Sequence, residues 1–348
     1  MTKDMNRKRI YLQAAEQISI QQPLSEQWMQ DPVFYNEFFV KAVNPIFRDY
    51  IPANEARRMG NIMKRALVTS LQVLHDSGIE HPDAIITGTS IGSLDYTEKF
   101  LDAMVDNGEE ALSPTFFMQS THNTVSSTLG IYTKTHGYNT TYSHGNISFD
   151  LALQDAWMQM QLNMISTALV GGHDEMVDSY FRLLQKTGYV GVEGMVPCGE
   201  VAVSMMLNTN NLSDYLCELA GIHICHCPSL DDMKFRISQI LLEAGMAWDD
   251  ISAVMTGVNG NAVNDHYYEC LVDAVFPDKP LLKYKQIFGE NYTSSALGVY
   301  AAAQCLRSKK VPQFMCDTRR PYQISSLDNI LMVNVMEGKE YSLILLRK

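Results

Sequence analysis

The sequence predicts an α/β protein with largely parallel sheets. Two observations carry that reading. Short, apolar, β-prone runs alternate with longer segments of helical spacing along the chain. After a polar break at 208–214 the same alternation starts again, which divides the chain into halves of 1–210 and 211–348. No residue-level repeat links the halves, so any duplication lies in topology alone.

The first strand is expected over Tyr11 to Ile20. A helix follows over Asn54 to Ser77, with Asn54 as N-cap and Met59, Ile62, Met63, Ala66, Leu67 and Leu71 at helical spacing. Ala84, Ile85 and Ile86 form the apolar centre of a strand over Asp83 to Gly88, and a small-residue loop runs from Gly88 to Gly92. Helices are expected over Tyr96 to Asp106 and from near Asn123. A β-prone stretch over Asn139 to Ser143 leads into a turn at His144, Gly145 and Asn146. The helix over Ser148 to Met164 is apolar around much of its circumference, which marks it as central. Strands follow at Ser166 to Gly172 and Val201 to Leu207. The second half gives a strand over Cys217 to Cys227, a helix over Leu230 to Gly245 and a strand over Ile251 to Thr256. Helices over Glu269 to Phe276 and Ser294 to Leu306 precede two closing strands over Leu331 to Leu346.

Composition narrows the function. With 348 residues, 46% hydrophobic and 19% charged, the chain can bury a core without disulfide or metal staples. Its net charge of −12 argues against non-specific nucleic-acid binding, which needs clustered cations. Ile10 to Ile20 carries Gln, Glu and Ser, so no signal peptide is expected. No apolar run approaches the roughly 20 residues that span a bilayer. The seven cysteines are an odd number without a regular framework, which suits free thiols in the cytoplasm.

Six segments, in order, resemble the β-ketoacyl synthases of the thiolase superfamily. They are Ser113 through Asn123, Gly137 through the apolar helix, Ala168 through Glu175, Tyr215 to Cys227, Lys285 through Ala303, and Ser342 through Leu345. The resemblance implies a thiolase-like fold: two similar halves in five alternating α-β-α-β-α layers, forming dimers. It also implies acyl chains carried as thioesters on acyl carrier protein, and no cofactor or metal. Active members use a cysteine nucleophile at a strand-to-helix turn and two histidines. The helix N-terminus stabilises the thiolate, and the imidazoles assist decarboxylation and hold the oxyanion.

That set is not in place here. Counting from Gly137, the cysteine position falls on Asn146, and no cysteine precedes Cys198. The first histidine position falls near Gly257, the second on Glu290. The loop lysine, Lys285, is retained. Where the family has a glycine-rich loop near its C-terminus, this chain reads Val335, Met336, Glu337, Gly338. His144, Phe149, Phe288 and Met336 are candidates to line an acyl pocket. Arg307, Lys309, Lys310, Arg319 and Arg320 are candidates to dock an acidic carrier protein. A carboxylate at Glu290 would repel a developing enolate unless paired, and Lys285 is the partner at hand.

The resemblance therefore implies a non-catalytic, chain-length-factor-like partner of an active synthase in fatty acid, polyketide or aryl-polyene biosynthesis, as a heterodimer or with itself. Two alternatives stay open: an acyltransferase with non-standard residues, which Lys285, Ser143, His144 and Glu290 keep open, and an acyl-carrier or lipid binding module. His223, Cys225, His226 and Cys227 suggest zinc, but no second finger-like pair accompanies them.

Overall fold

The strands form one ten-stranded sheet whose order is symmetric about its centre. The computed structural model describes residues 7–110, 112–319, 324 and 326–348. In chain order the elements are β1 (Tyr11–Ile18), α1 (Ala53–Ala56), α2 (Asn61–Ser77), β2 (Ala84–Gly88), α3 (Leu94–Asn107), α4 (Pro114–Ser120), α5 (Thr124–Thr133), β3 (Tyr138–Tyr142), α6 (Ser148–Gln161), β4 (Thr167–Asp174), α7 (Asp178–Lys186) and β5 (Val201–Asn208). Then come β6 (Cys217–His226), α8 (Leu230–Glu243), β7 (Ala253–Thr256), α9 (Ala262–Val275), β8 (Leu281–Lys283), α10 (Lys285–Phe288), α11 (Ser295–Ser308), β9 (Asn329–Met336) and β10 (Glu340–Arg347).

The strand order is β3-β2-β4-β5-β1-β6-β10-β9-β7-β8, so the strands before and after the β1/β6 join follow one topology. That join is narrow: Tyr11 opposes Glu218 and Leu12 opposes Cys217. The sheet is mixed rather than largely parallel. β2 runs parallel to β3 and β4, and β7 to β8 and β9. β1, β5, β6 and β10 make antiparallel contacts with their neighbours.

Helices α6 and α11 lie between the two halves of the sheet. α6 packs on β2, β4 and β6, and α11 on β9, β1 and β5. α2 and α5 cover one outer face; α8 and α9 cover the other. The apolar circumference of α6 has its reason here, because Phe149, Ala152, Leu153, Ala156 and Met160 are buried among strands. No helix among the described residues is long and apolar enough to cross a membrane.

Several boundaries differ from expectation. The helix expected over Asn54 to Ser77 is two helices, and Asn54 lies inside the first. Gly60 is the N-cap of α2, with extended backbone, and a Cβ there would lie 2.7 Å from the Tyr96 ring. Close packing of α3 on this junction interrupts the helix. α9 begins at Ala262, ahead of the expected Glu269, because the Asn261 side chain accepts from the amides of Val263 and Asn264. α4, α7 and β8 were not expected; each is short, and α4 buries no residue.

Candidate functional site

The site is built around the turn between β3 and α6. Gly145 takes φ +50°, and a Cβ there would lie 2.6 Å from Met336 Sδ, so glycine permits both the bend and the packing. Ser148 Oγ donates to the Gly145 carbonyl at 2.7 Å and accepts from the His144 amide at 2.8 Å, closing the turn. Asn146 Oδ1 accepts from Tyr189 Oη at 3.0 Å, and the Tyr189 ring stacks on Tyr292. The Asn146 carbonyl accepts from Asn334 Nδ2 at 2.9 Å. The same nitrogen donates to Asp150 Oδ2 at 3.1 Å, and that oxygen also accepts from Ser295 Oγ at 2.6 Å. Burial raises the Asp150 pKa. This network joins the starts of α6 and α11 to β9.

Asn334 leads to the second position. Its Oδ1 accepts from Tyr268 Oη at 3.3 Å, and that oxygen accepts from the Val335 amide at 2.9 Å. Tyr268 is fully buried and fills the space beside Gly257. A Cβ on Gly257 would lie 2.6 Å from Tyr268 Oη and 3.2 Å from Lys285 Cε. A side chain at 257 would have to displace Tyr268.

The third position is an ion pair. Lys285 Nζ lies 2.8 and 3.1 Å from the two Glu290 oxygens, with both side chains buried. Glu290 Oε1 also accepts from the Asn291 amide at 3.0 Å, and Oε2 from the Asn259 carboxamide. The carboxylate is thus held by four hydrogen bonds from three groups. Asn146, Gly257, Lys285 and Glu290 occupy one connected region, linked through Tyr268 and Asn334.

Among the described residues Ser143 and His144 do not bond each other. The Ser143 hydroxyl turns to the Ser90 carbonyl at 3.4 Å, while the exposed His144 ring faces Glu340 at 4.0 Å. Cys198 is bridged to Glu290 through the backbone, but burial and then the Glu290 and Glu200 charges push its thiol pKa far up, away from thiolate. His266 is exposed on α9. The amides of the 88–92 loop are also taken: Asp174 accepts from Thr89 Oγ1 at 2.7 Å and from the Ser90, Ile91 and Gly92 amides at 3.0–3.3 Å.

Other candidates are placed differently from expectation. Phe149 and Phe288 do not line an opening. Both belong to the central core, where Phe288 packs edge-on to Trp28 at 5.1 Å. Met336 lies on the turn. His223 faces Glu243, Cys225 faces Met233 and His226 bonds Glu340, so the strand disperses these side chains. Among the described residues no group of three His, Cys, Asp or Glu side chains is placed to hold a metal. Arg307 pairs with Asp214, Lys309 with Asp328, and Arg319 with Asp317 and Glu269. Those cations are neutralised within the chain; Lys310 is exposed, and Arg320 lies outside the described residues.

Residues 26–227, more than half of the chain, match the model of the β-ketoacyl synthase N-terminal domain. The chain belongs to the β-ketoacyl synthase family. No curated protein sequence matches it. Among solved structures, a synthase-family complex titled the ishigamide ketosynthase/chain length factor is similar with TM-score 0.81 and 17% identity, covering 98% of this chain and 99% of that one. The ketosynthase ApeO in complex with its chain length factor ApeC, from Xenorhabdus doucetiae, gives TM-score 0.79 and 14% identity over 100% and 99% of the two chains. At such identity the likeness is one of fold, and the thiolase-like fold of this synthase-family chain is thereby shown.

Sequence reading missed the residues that surround Asn146, Gly257 and Glu290: Tyr268, Asn334, Asn259, Tyr189 and Asp150. Asn334 and Asp150 had a signal, each being a lone polar residue in an otherwise apolar run. Tyr268 and Tyr189 had none.

Proposed function

We propose that this chain is a non-catalytic, chain-length-factor-like subunit that pairs with a catalytic β-ketoacyl synthase acting on carrier-bound acyl chains. One observation carries the reading. The three positions assigned to nucleophile and imidazoles hold an amide, a glycine backed by buried Tyr268, and a carboxylate locked to Lys285. None of these supplies a thiolate or a mobile proton.

A pairing surface supports it. β3 is an edge strand with exposed residues, and α4 and α5 beside it expose Phe117, Met118 and Ile131. Residues 111–149 contain no Asp or Glu, and Lys134 is their one charged side chain, in a chain that is 19% charged. Depletion of charge around exposed apolar groups is the anatomy of an interface centre. Solved relatives are titled as ketosynthases with chain length factors, and one as a ketosynthase with its acyl carrier protein.

For the carrier, the reading moves to another surface. Residues 41–65 hold six cations against two acids in a chain of net charge −12. Arg48, Arg57 and Arg58 are exposed there, the first on the turn Phe47–Asp49 and the other two just past α1, which contacts that turn.

The test is condensation of acyl-carrier with malonyl-carrier by the chain alone, by a catalytic synthase alone, and by both. Extended product is expected only where the synthase is present, with its length distribution set by the pair. Product from the purified chain alone would refute the reading.

A further inference from the structure

We infer that the exposed face of α3 excludes a second copy of this chain from the pairing surface and selects a partner whose apposed face is basic. The inference rests on the pairing surface proposed above and adds what kind of chain covers it.

α3 stands against α4, and the Phe100 and Phe117 rings meet at 5.6 Å. Of its fourteen residues Tyr96 alone is buried. Leu101 and Val105, four apart, point outward, and Val105 is 85% exposed. Glu98, Asp102 and Asp106 fall at the same i, i+4 spacing and interleave with them. Lys99, the one cation on the helix, is paired with Asp95 at 2.6 Å. Glu109 and Glu110 continue the acidic run past the helix end, giving six acids and one lysine over residues 94–110.

The uncharged centre at α4, α5 and β3 is therefore flanked by an acidic rim. A twofold pairing of identical chains places the same patch on both sides. Each acidic rim then adds its field to that of its copy, and like charge across a contact disfavours it. A basic partner turns the same rim into an attraction and speeds encounter. The apolar centre alone would be indifferent between these occupants; the rim is not.

The experiment is sedimentation velocity on the full chain and on the triple variant Glu98→Gln, Asp102→Asn, Asp106→Asn. Each is run alone and with a catalytic synthase, at about 0.05 M and about 0.5 M salt, where screening lengths differ several-fold. Asp102 and Asp106 are exposed and Glu98 is half-buried, and matching thermal melts confirm that the fold is intact. The wild-type chain alone is expected to stay monomeric at low salt. The triple variant is expected to self-associate at concentrations at least about tenfold lower. The synthase complex is expected to weaken about tenfold or more with salt and with the triple substitution. A wild-type self-dimer indifferent to salt and to the substitutions would overturn the inference. Self-association that responds to charge as stated, with no synthase complex under any condition, would reject the subunit reading and leave the charge rule standing.

Discussion

Lys285 Nζ lies 2.8 Å from Glu290 Oε2, and neither side chain reaches solvent. The two are five residues apart and meet because Gly289, at φ +80°, turns the chain back between them. Removing one partner leaves the other charge buried. Glu290→Gln and Lys285→Met are each expected to cost about 3–5 kcal/mol in urea unfolding. The double replacement is expected to cost clearly less than the sum. Additive losses would show that the pair does not act as a unit.

Gly257 is blocked rather than vacant. Gly257→His must push aside Tyr268, whose hydroxyl holds Asn334 and Val335. The variant is expected to lose about 1–3 kcal/mol and to gain no condensing activity. Adding Tyr268→Ala is expected to recover part of that loss relative to the two single changes. An unchanged melting temperature for Gly257→His alone would contradict the packing argument.

Carrier binding separates the two sets of cations. Arg57→Glu with Arg58→Glu is expected to raise the Kd of the synthase complex for acyl carrier protein by about tenfold. Arg307→Glu and Lys309→Glu are expected to stay within about twofold, because Asp214 and Asp328 already engage them. Calorimetric titration decides; the reverse ranking would return the dock to α11.

His173 makes the acid limb of stability steeper. Burial lowers its pKa to about 3, and neither ring nitrogen finds a partner among the described residues. As pH falls from about 6.5 towards 3, the unfolded chain takes up a proton that the folded chain refuses. Stability from this group is therefore full above pH 6.5 and is lost progressively below it. Glu16 acts in the opposite sense, since burial and then Asp76 and Glu26 raise its pKa to about 7. The comparison of wild type with His173→Gln isolates the histidine term. Urea unfolding between pH 7 and 4 should show a shallower decline in the variant; parallel curves would contradict the assignment.

The strands and the central helix were legible because burial writes itself into composition. Ala84, Ile85 and Ile86 read as β2, and the apolar circumference of Ser148 to Met164 reads as α6, which ends at Gln161. α4 and α7 were not legible, being short helices that bury little. Sheet direction was also hidden, since alternation of elements does not fix how β5 and β10 run. At the site, the residues at positions 146, 257 and 290 could be read directly. What fills the gaps could not. Tyr268 reaches Gly257 from the next helix, and the cations at the end of α11 looked available for a carrier only because Asp214 and Asp328 are distant in sequence.

The central claim is that no residue here can carry an acyl group. Its most direct test is intact-mass measurement of the purified chain after incubation with excess acyl-carrier thioester and with a small acyl thioester. The account predicts an unmodified mass under conditions that acylate a catalytic synthase to completion. A stoichiometric acyl adduct, mapped to Cys198 or to the turn from Ser143 to Ser148, would contradict it.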